Sequence, residues 1–130
     1  MNVVDASVVI AASADDDAHR IWAVNALGSK AAAPHLMPVE VAHVLRRFEF
    51  RDLIVGAAGA KVLQDALDFD VDLWPFAPFA GRVWELRGSL TPYDAWYVAL
   101  AEALDVPLAT LDLRLAAASG PRCAFTTPFD

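Results

Sequence analysis

Residues 1–12 read MNVVDASVVIAA, and their interpretation decides the fold. An apolar pair, Val3 and Val4, runs into Asp5 and resumes at once as Ala6 to Ala12. β-Branched residues before the acid suit a short buried strand, and the longer run after it suits a helix entered directly. A charged side chain therefore stands where a buried strand ends and a helix begins.

The same alternation continues along the chain. Ile21, Val24 and Leu27 predict a second helix, stopped by Gly28 and Ser29, and Ala31 to Ala33 predict a strand before Pro34. From Pro38 to about Arg51 the spacing of Val41, Val44, Leu45 and Phe48 marks one buried helical face. Val62, Leu63, Ala66 and Leu67 mark another helix, and Val71 to Leu73 a strand broken by Pro75. Phe79 to Leu86 is helical with Val83 and Leu86 inward, and Thr91 to Leu104 gives the clearest amphipathic pattern. Val106 to Leu111 then predicts a strand, Leu113 to Ala118 a short helix, and Cys123 to Phe125 a last strand. Short strands separated by helices require right-handed crossovers. The expected class is α/β: a central parallel sheet of about four to five short strands flanked by helices, as one domain over residues 1–130.

Composition narrows the function. The chain has 57% hydrophobic residues, yet Asp, Arg, Pro or Gly interrupts each apolar stretch before it reaches membrane-spanning length, so no membrane partner is expected. An acid at position 5 and no basic start argue against a signal peptide, which points to the cytoplasm. Cys123 is the sole cysteine and reads as a small buried apolar residue. The net charge of -7 argues against broad adhesion to nucleic acid through a basic surface. It leaves room for carboxylates that bind a divalent cation, which in turn binds phosphate.

Ligands of open parallel sheets collect at the carboxyl ends of the strands. Asp5 ends the first strand, and Asp112 ends the strand built from PLATL. Glu40 and Asp94 each stand two residues after a proline, Pro38 and Pro92. With proline at the first helical position, each acid falls on the third, at the positive end of its helix. Each acid also has a structural reading. Asp5 and Asp112 suit N-caps worth about 1 kcal/mol, Asp94 suits a capping box with Thr91, and Glu40 suits the helix dipole. The four together are harder to explain so, because carboxylates about 4.5 Å apart repel by roughly 3 to 4 kcal/mol per pair at an effective dielectric of about 20. Oxygen ligands alone select a hard cation, Mg2+ or Mn2+.

Four stretches, VVDAS, PVEVAHVLRR, TPYDAWYVALAEAL and PLATLD, resemble the PIN domain and in particular the VapC-type toxins of bacterial toxin-antitoxin pairs. They occur in the family's order and spacing over essentially the whole chain. The resemblance implies a PIN-like α/β/α sandwich and an endoribonuclease that uses Mg2+ or Mn2+. It assigns Asp5, Glu40 and Asp94 to the main acidic cluster and Asp112 to its fourth place, with Ser7 and Thr110 as supporting hydroxyls. It further implies RNA as substrate, products with a 5'-phosphate and a 3'-hydroxyl, a homodimer, and a VapB-like antitoxin that blocks the site, in the bacterial cytoplasm. Trp96 departs from the family pattern, being bulky where a small residue usually follows YDA. Two other readings of the same chain are a catalytically weak PIN-fold interaction module and a DNA or flap nuclease.

Arg47 and Arg51 share a helical stripe with Glu40, and Arg114 follows Asp112 by two residues; all three are candidates to contact RNA, the first two equally suited to pairing with Glu49 or Asp52. His19, His35 and His43 lack zinc-site spacing. The run Asp68, Asp70, Asp72 begins like an EF-hand loop but has Leu73 where glycine is needed and Phe79 where glutamate is needed, so it reads as a solvated turn. Asp15 to Asp17 read as a polar helix start. Most of Trp22, Trp74, Trp84 and Trp96 are expected in the core.

Overall fold

The computed structural model describes residues 1–14, 17–54 and 56–129. Five strands form one wholly parallel sheet. They are β1 (Val3–Val4), β2 (Ala31–Pro34), β3 (Val71–Trp74), β4 (Leu108–Ala109) and β5 (Phe125–Thr126), in the order β3-β2-β1-β4-β5. Val3 is in register with Ala32 on one side and Leu108 on the other. The chain thus winds from β1 to β2 and β3 on one side, then crosses back past β1 to β4 and β5 on the other. That divergence opens a crevice at the carboxyl ends of the central strands, where Asp5 and Thr110 follow.

Among the described residues seven helices flank the sheet: α1 (Ala6–Ser13), α2 (Arg20–Leu27), α3 (Met37–Phe50), α4 (Gly56–Asp68), α5 (Ala80–Glu85), α6 (Pro92–Leu104) and α7 (Leu113–Ala116). α1 packs against α2, α3 and α4, while α6 lies across β1, β2 and β4. The central strands are sealed on both faces: Val3, Val4, Ala31, Ala32, Ala33, Leu108 and Ala109 have no exposed surface. Apart from Leu108 these are alanines and valines, which lets helices approach the short strands closely. Each large apolar side chain so enclosed, such as Leu100, Leu108 or Leu115, contributes about 1.5–3 kcal/mol of burial. Asp105, in the left-handed region at φ 54°, ends α6 and turns the chain into β4.

The element order and class follow the sequence, with several corrections. α6 is buried at every position from Ala95 to Ala101 rather than on one stripe, because it sits between the sheet and α5. In α2 the inward residues are Ala23, Ala26 and Leu27; Ile21 and Val24 face outward. α3 begins at Met37, one residue early, so Glu40 occupies its fourth position. The strand expected over Val106 to Leu111 pairs only at Leu108–Ala109, and the last strand is Phe125–Thr126 with Cys123 ahead of it. The last helix ends at Ala116, and a 3-10 turn, Ala77–Phe79, precedes α5. The DFDVD run is no single turn: Asp68 ends α4, while Asp72 lies in edge strand β3 and pairs with Lys30 at 3.3 Å. Trp84 is exposed, with the Arg87 guanidinium over its ring. Cys123 is half-buried rather than buried, and burial pushes its thiol up to about 11. Of the expected polar start at 15 to 17, residues 15 and 16 lie outside the described residues.

Candidate active site

The end of β1 places Asp5 at the mouth of α1, and the side chain does what a strand-to-helix acid should: its Oδ1 accepts the Val8 backbone N–H at 3.2 Å. Two hydroxyls, Ser7 and Thr110, also donate to this carboxylate, one to each oxygen. Those hydroxyls are fixed from β4's end of the crevice. Ser7 Oγ accepts the Leu111 N–H at 3.1 Å, and Thr110 Oγ1 accepts the Asp112 N–H at 2.9 Å. Burial raises the Asp5 carboxyl above its ordinary 3.8, and the hydrogen bonds from Ser7, Thr110 and Val8 pull the other way without cancelling it.

Glu40 enters from the first turns of α3 and Tyr97 from α6. The Tyr97 hydroxyl donates to Glu40 Oε1 at 2.7 Å. Burial raises the Glu40 carboxyl; the Tyr97 hydrogen bond lowers it, and the charges of Asp94 and Asp5 raise it again. Burial, reinforced by the charges of Glu40, Asp5 and Asp94, drives the Tyr97 phenol far above its usual range, so it remains a proton donor. Two carboxylates from distant parts of the chain therefore act by charge on Glu40, and all three act on one phenol.

The outer half of the site is held differently. Thr91 caps α6 by accepting the Asp94 N–H at 3.3 Å, while Asp112 caps α7 by accepting the N–H groups of Arg114 and Leu115 at 2.9 and 3.2 Å. The exposed Arg114 guanidinium then bridges the two acids, at 3.0 Å from Asp94 Oδ2 and 3.2 Å from Asp112 Oδ2. Arg114, a candidate to contact RNA, is thus engaged in the free chain by two site carboxylates. Arg47 and Arg51 are exposed and, among the described residues, pair with neither the four acids nor Glu49 or Asp52.

The structure thus gathers Asp5, Glu40, Asp94 and Asp112, with Ser7 and Thr110 as their supports. It adds Tyr97, which the sequence reading passed over. The signal was there: a hydroxyl inside the otherwise apolar run AWYVALA, one helical turn after Asp94, must find a partner when buried. Trp96, the bulky departure, is buried in an edge-on contact with Phe76 at 5.2 Å, and its indole N–H is enclosed without a hydrogen-bond partner.

As the side chains lie, no group of three His, Cys, Asp or Glu residues among those described is drawn together as a ready-made metal cage. The chemistry of the donor set still fits a hard divalent cation. All four candidate ligands offer carboxylate oxygen, the charges of Asp94 and Asp5 make Glu40 harder to ionise, and Asp94 and Asp112 already share one positive group, the Arg114 guanidinium. A cleft of about 540 Å³ opens directly onto Glu40, lined by Leu36, Val39, His43 and Tyr93. Another, of about 510 Å³, lies at the opposite ends of β4 and β5 beside Pro107, Arg122 and Cys123, away from the acids.

Residues 3–121 match the family model described as PIN domain. The chain is 41% identical over 127 residues to Ribonuclease VapC9 of Mycobacterium tuberculosis, covering 97% of both chains. It is 45% identical over 124 residues to Ribonuclease VapC1 of the same organism, covering 93% of this chain and 92% of that one. Among solved structures, PAE2754 from Pyrobaculum aerophilum superposes with a TM-score of 0.65 at 31% identity, covering 90% of this chain and 86% of that one. Mycobacterium tuberculosis VapC20, a toxin that cleaves the sarcin-ricin loop, superposes at 0.61 with 17% identity over 83% and 87%, a likeness of fold. With the fold, a family model matched over residues 3–121 and relatives spanning nearly the full length, the chain belongs to the PIN-domain family, among the VapC-type ribonucleases.

Proposed function

We propose that this chain is a Mg2+- or Mn2+-dependent endoribonuclease, the toxin of a toxin-antitoxin pair. The observation that carries the reading is the convergence of Asp5, Glu40, Asp94 and Asp112 at the carboxyl edge of the sheet, with Asp5 and Asp94 close enough for their charges to raise the Glu40 carboxyl. Asp5, Glu40 and Asp94 would hold the cation, with Asp112 completing the set directly or through water. When bound, such a cation lowers the pKa of a coordinated water and neutralises charge building on the phosphate oxygens. The chain's own residues supply the rest. Ser7, Thr110 and the α1 backbone fix the orientation of Asp5, and the Tyr97 phenol fixes that of Glu40 while keeping its own proton. A water's oxygen bonds to phosphorus as the 3'-oxygen departs, leaving a 5'-phosphate and a 3'-hydroxyl. A carboxylate of the cluster would take the water's proton, and the departing 3'-oxygen would take one from solvent to become the hydroxyl.

The partner side of the proposal is a homodimer bound by a VapB-like antitoxin. The geometry of Arg114, one guanidinium satisfying two site carboxylates, is the form in which a basic residue from an inhibitor would also engage them. The test is direct. Purified chain with Mn2+ is incubated with matched RNA and DNA oligonucleotides, with and without EDTA, beside Asp94→Asn. Cleavage of RNA that EDTA and the substitution both abolish is expected. Equal cleavage of DNA would favour the broader nuclease, and RNA binding without any cleavage would favour the interaction module.

A further inference from the structure

The cleft that opens onto Glu40 does not end at Tyr93. A second cleft of about 240 Å³, lined by Leu36, Phe76, Pro92, Tyr93 and Trp96, shares Leu36 and Tyr93 with the first. The two adjoin along this shared lining, with Tyr93 bordering both. Tyr93 is largely exposed although it sits in the first turn of α6, one residue from Asp94, and Phe76 beyond it is exposed as well. A buried-core role does not account for Tyr93, and hydroxyl-to-carboxylate bonding of the kind made by Tyr97 is not its use.

From this placement we infer that the Leu36–Tyr93 wall is a base-binding subsite, at which an unpaired nucleobase next to the scissile phosphate stacks on the Tyr93 ring. The inference rests on the ribonuclease reading and names how that site takes hold of its substrate. A single strand whose phosphate lies against Asp94 and Glu40 must lead its neighbouring nucleotide out along a surface, and the groove is continuous with Glu40 itself. The surface is apolar and aromatic rather than basic, which matches a chain of net charge -7: it grips bases through their faces, not phosphates through charge. His43, one helical turn from Glu40 in the same cleft, adds a ring and a polar edge within reach of the base. Stacking accepts any base, so the subsite sets the strand's register and its single-stranded character more than its sequence.

The test uses the full chain with Mn2+ and a short single-stranded RNA of mixed sequence whose cut position is first mapped. Tyr93→Ala should raise KM by roughly tenfold with kcat nearly unchanged, while Tyr93→Phe and Tyr93→Trp stay close to the parent. Abasic nucleotides placed in turn around the cut should reveal one position with a KM effect of similar size in the parent chain. At that position the abasic RNA and Tyr93→Ala together should be no worse than either alone, because both remove the same contact. No cutting of RNA by the parent chain would sink the ribonuclease reading itself. Cutting by the parent with fully additive effects, or with no position sensitive to base removal, would overturn the subsite alone. If Tyr93→Ala instead changes the sedimentation of the chain and leaves KM untouched, the groove is a face between two copies and the inference fails.

Discussion

Replacing Asp5 by asparagine separates the two jobs this residue holds. As the cap of α1 it needs one oxygen for the Val8 N–H, and asparagine supplies that equally well. What changes is the second oxygen, which becomes an NH2 group facing the Thr110 hydroxyl. That hydroxyl loses its acceptor, a cost of about 1 kcal/mol, but the enclosed negative charge, whose burial cost is visible in the raised Asp5 pKa, disappears. The two terms oppose each other, so Asp5→Asn should lie within about 1 kcal/mol of the parent, or roughly 5 °C in Tm for a chain of this size. Asp5→Ala is different. It removes the cap and leaves the hydroxyls of Ser7 and Thr110 and the Val8 N–H without their acceptor, a loss of about 2–4 kcal/mol and a Tm lower by roughly 10 °C. In cleavage the order collapses: both variants should fall at least about 100-fold with Mn2+, because neither offers a carboxylate to the cation. Thermal melts and initial rates on one RNA suffice. An Asp5→Asn protein that melts as low as Asp5→Ala would show that the charge is structural, and one that cleaves near the parent rate would remove Asp5 from the site.

The other expectations concern the site's rim and the fold's seam. Arg114→Gln frees the Asp94 and Asp112 carboxylates from their internal cation and should tighten Mn2+ binding by roughly 3- to 10-fold in a calorimetric titration, discounted for an exposed group; weaker binding would refute the competition. Glu102 joins α5 to α6 and to the last turn, bonding Arg82 at 2.7 and 3.1 Å and the Arg122 N–H at 2.7 Å. Partial burial raises its carboxyl, and the bonds and charges of Arg82 and Arg122 more than reverse that, leaving it below the ordinary 4.5. A depressed acid stabilises above its unfolded pKa and loses that contribution as pH falls through the folded one. Glu102→Gln should therefore cost about 1–2 kcal/mol at neutral pH, with the gap from the parent closing in acid; a gap independent of pH would refute the assignment.

How much of this was legible in the sequence depends on how local each feature is. The strand-to-helix turn at Asp5, the Thr91-Pro92 start of α6 and the PLATLD strand end are written in adjacent residues, so their acids could be placed at element ends without a structure. The burial of α6 could not. AWYVALA reads as one face of an amphipathic helix, and only the packing of α5 and the sheet around it makes the whole run internal. The outward turn of Ile21 and Val24 is the same problem in reverse, since alanines at 23 and 26 take the close approach to α1 that larger residues would prevent. In sequence, Arg114 stands beside Asp112 alone among the four acids. Its shorter contact is to Asp94, twenty residues away and on another helix.

These contacts divide the four acids into two classes that the sequence treats alike. Asp5 and Glu40 are held by hydroxyls that are themselves fixed: Thr110 and Ser7 are tied to the backbone beyond β4, and Tyr97 is set in the buried stretch of α6. Their orientations are set by the fold before any ligand arrives, at the cost of enclosing charge. Asp94 and Asp112 are more open, and apart from the α7 cap made by Asp112 their carboxylates are engaged by a single exposed arginine. An exposed ion pair of that kind is worth little and exchanges easily. The site is therefore rigid where a cation must find its position and adjustable where a phosphate, or an inhibitor's basic side chain, must come and go. Loss of a fixed hydroxyl should then act on the inner acids through geometry, whereas loss of Arg114 should act on the outer pair through charge alone.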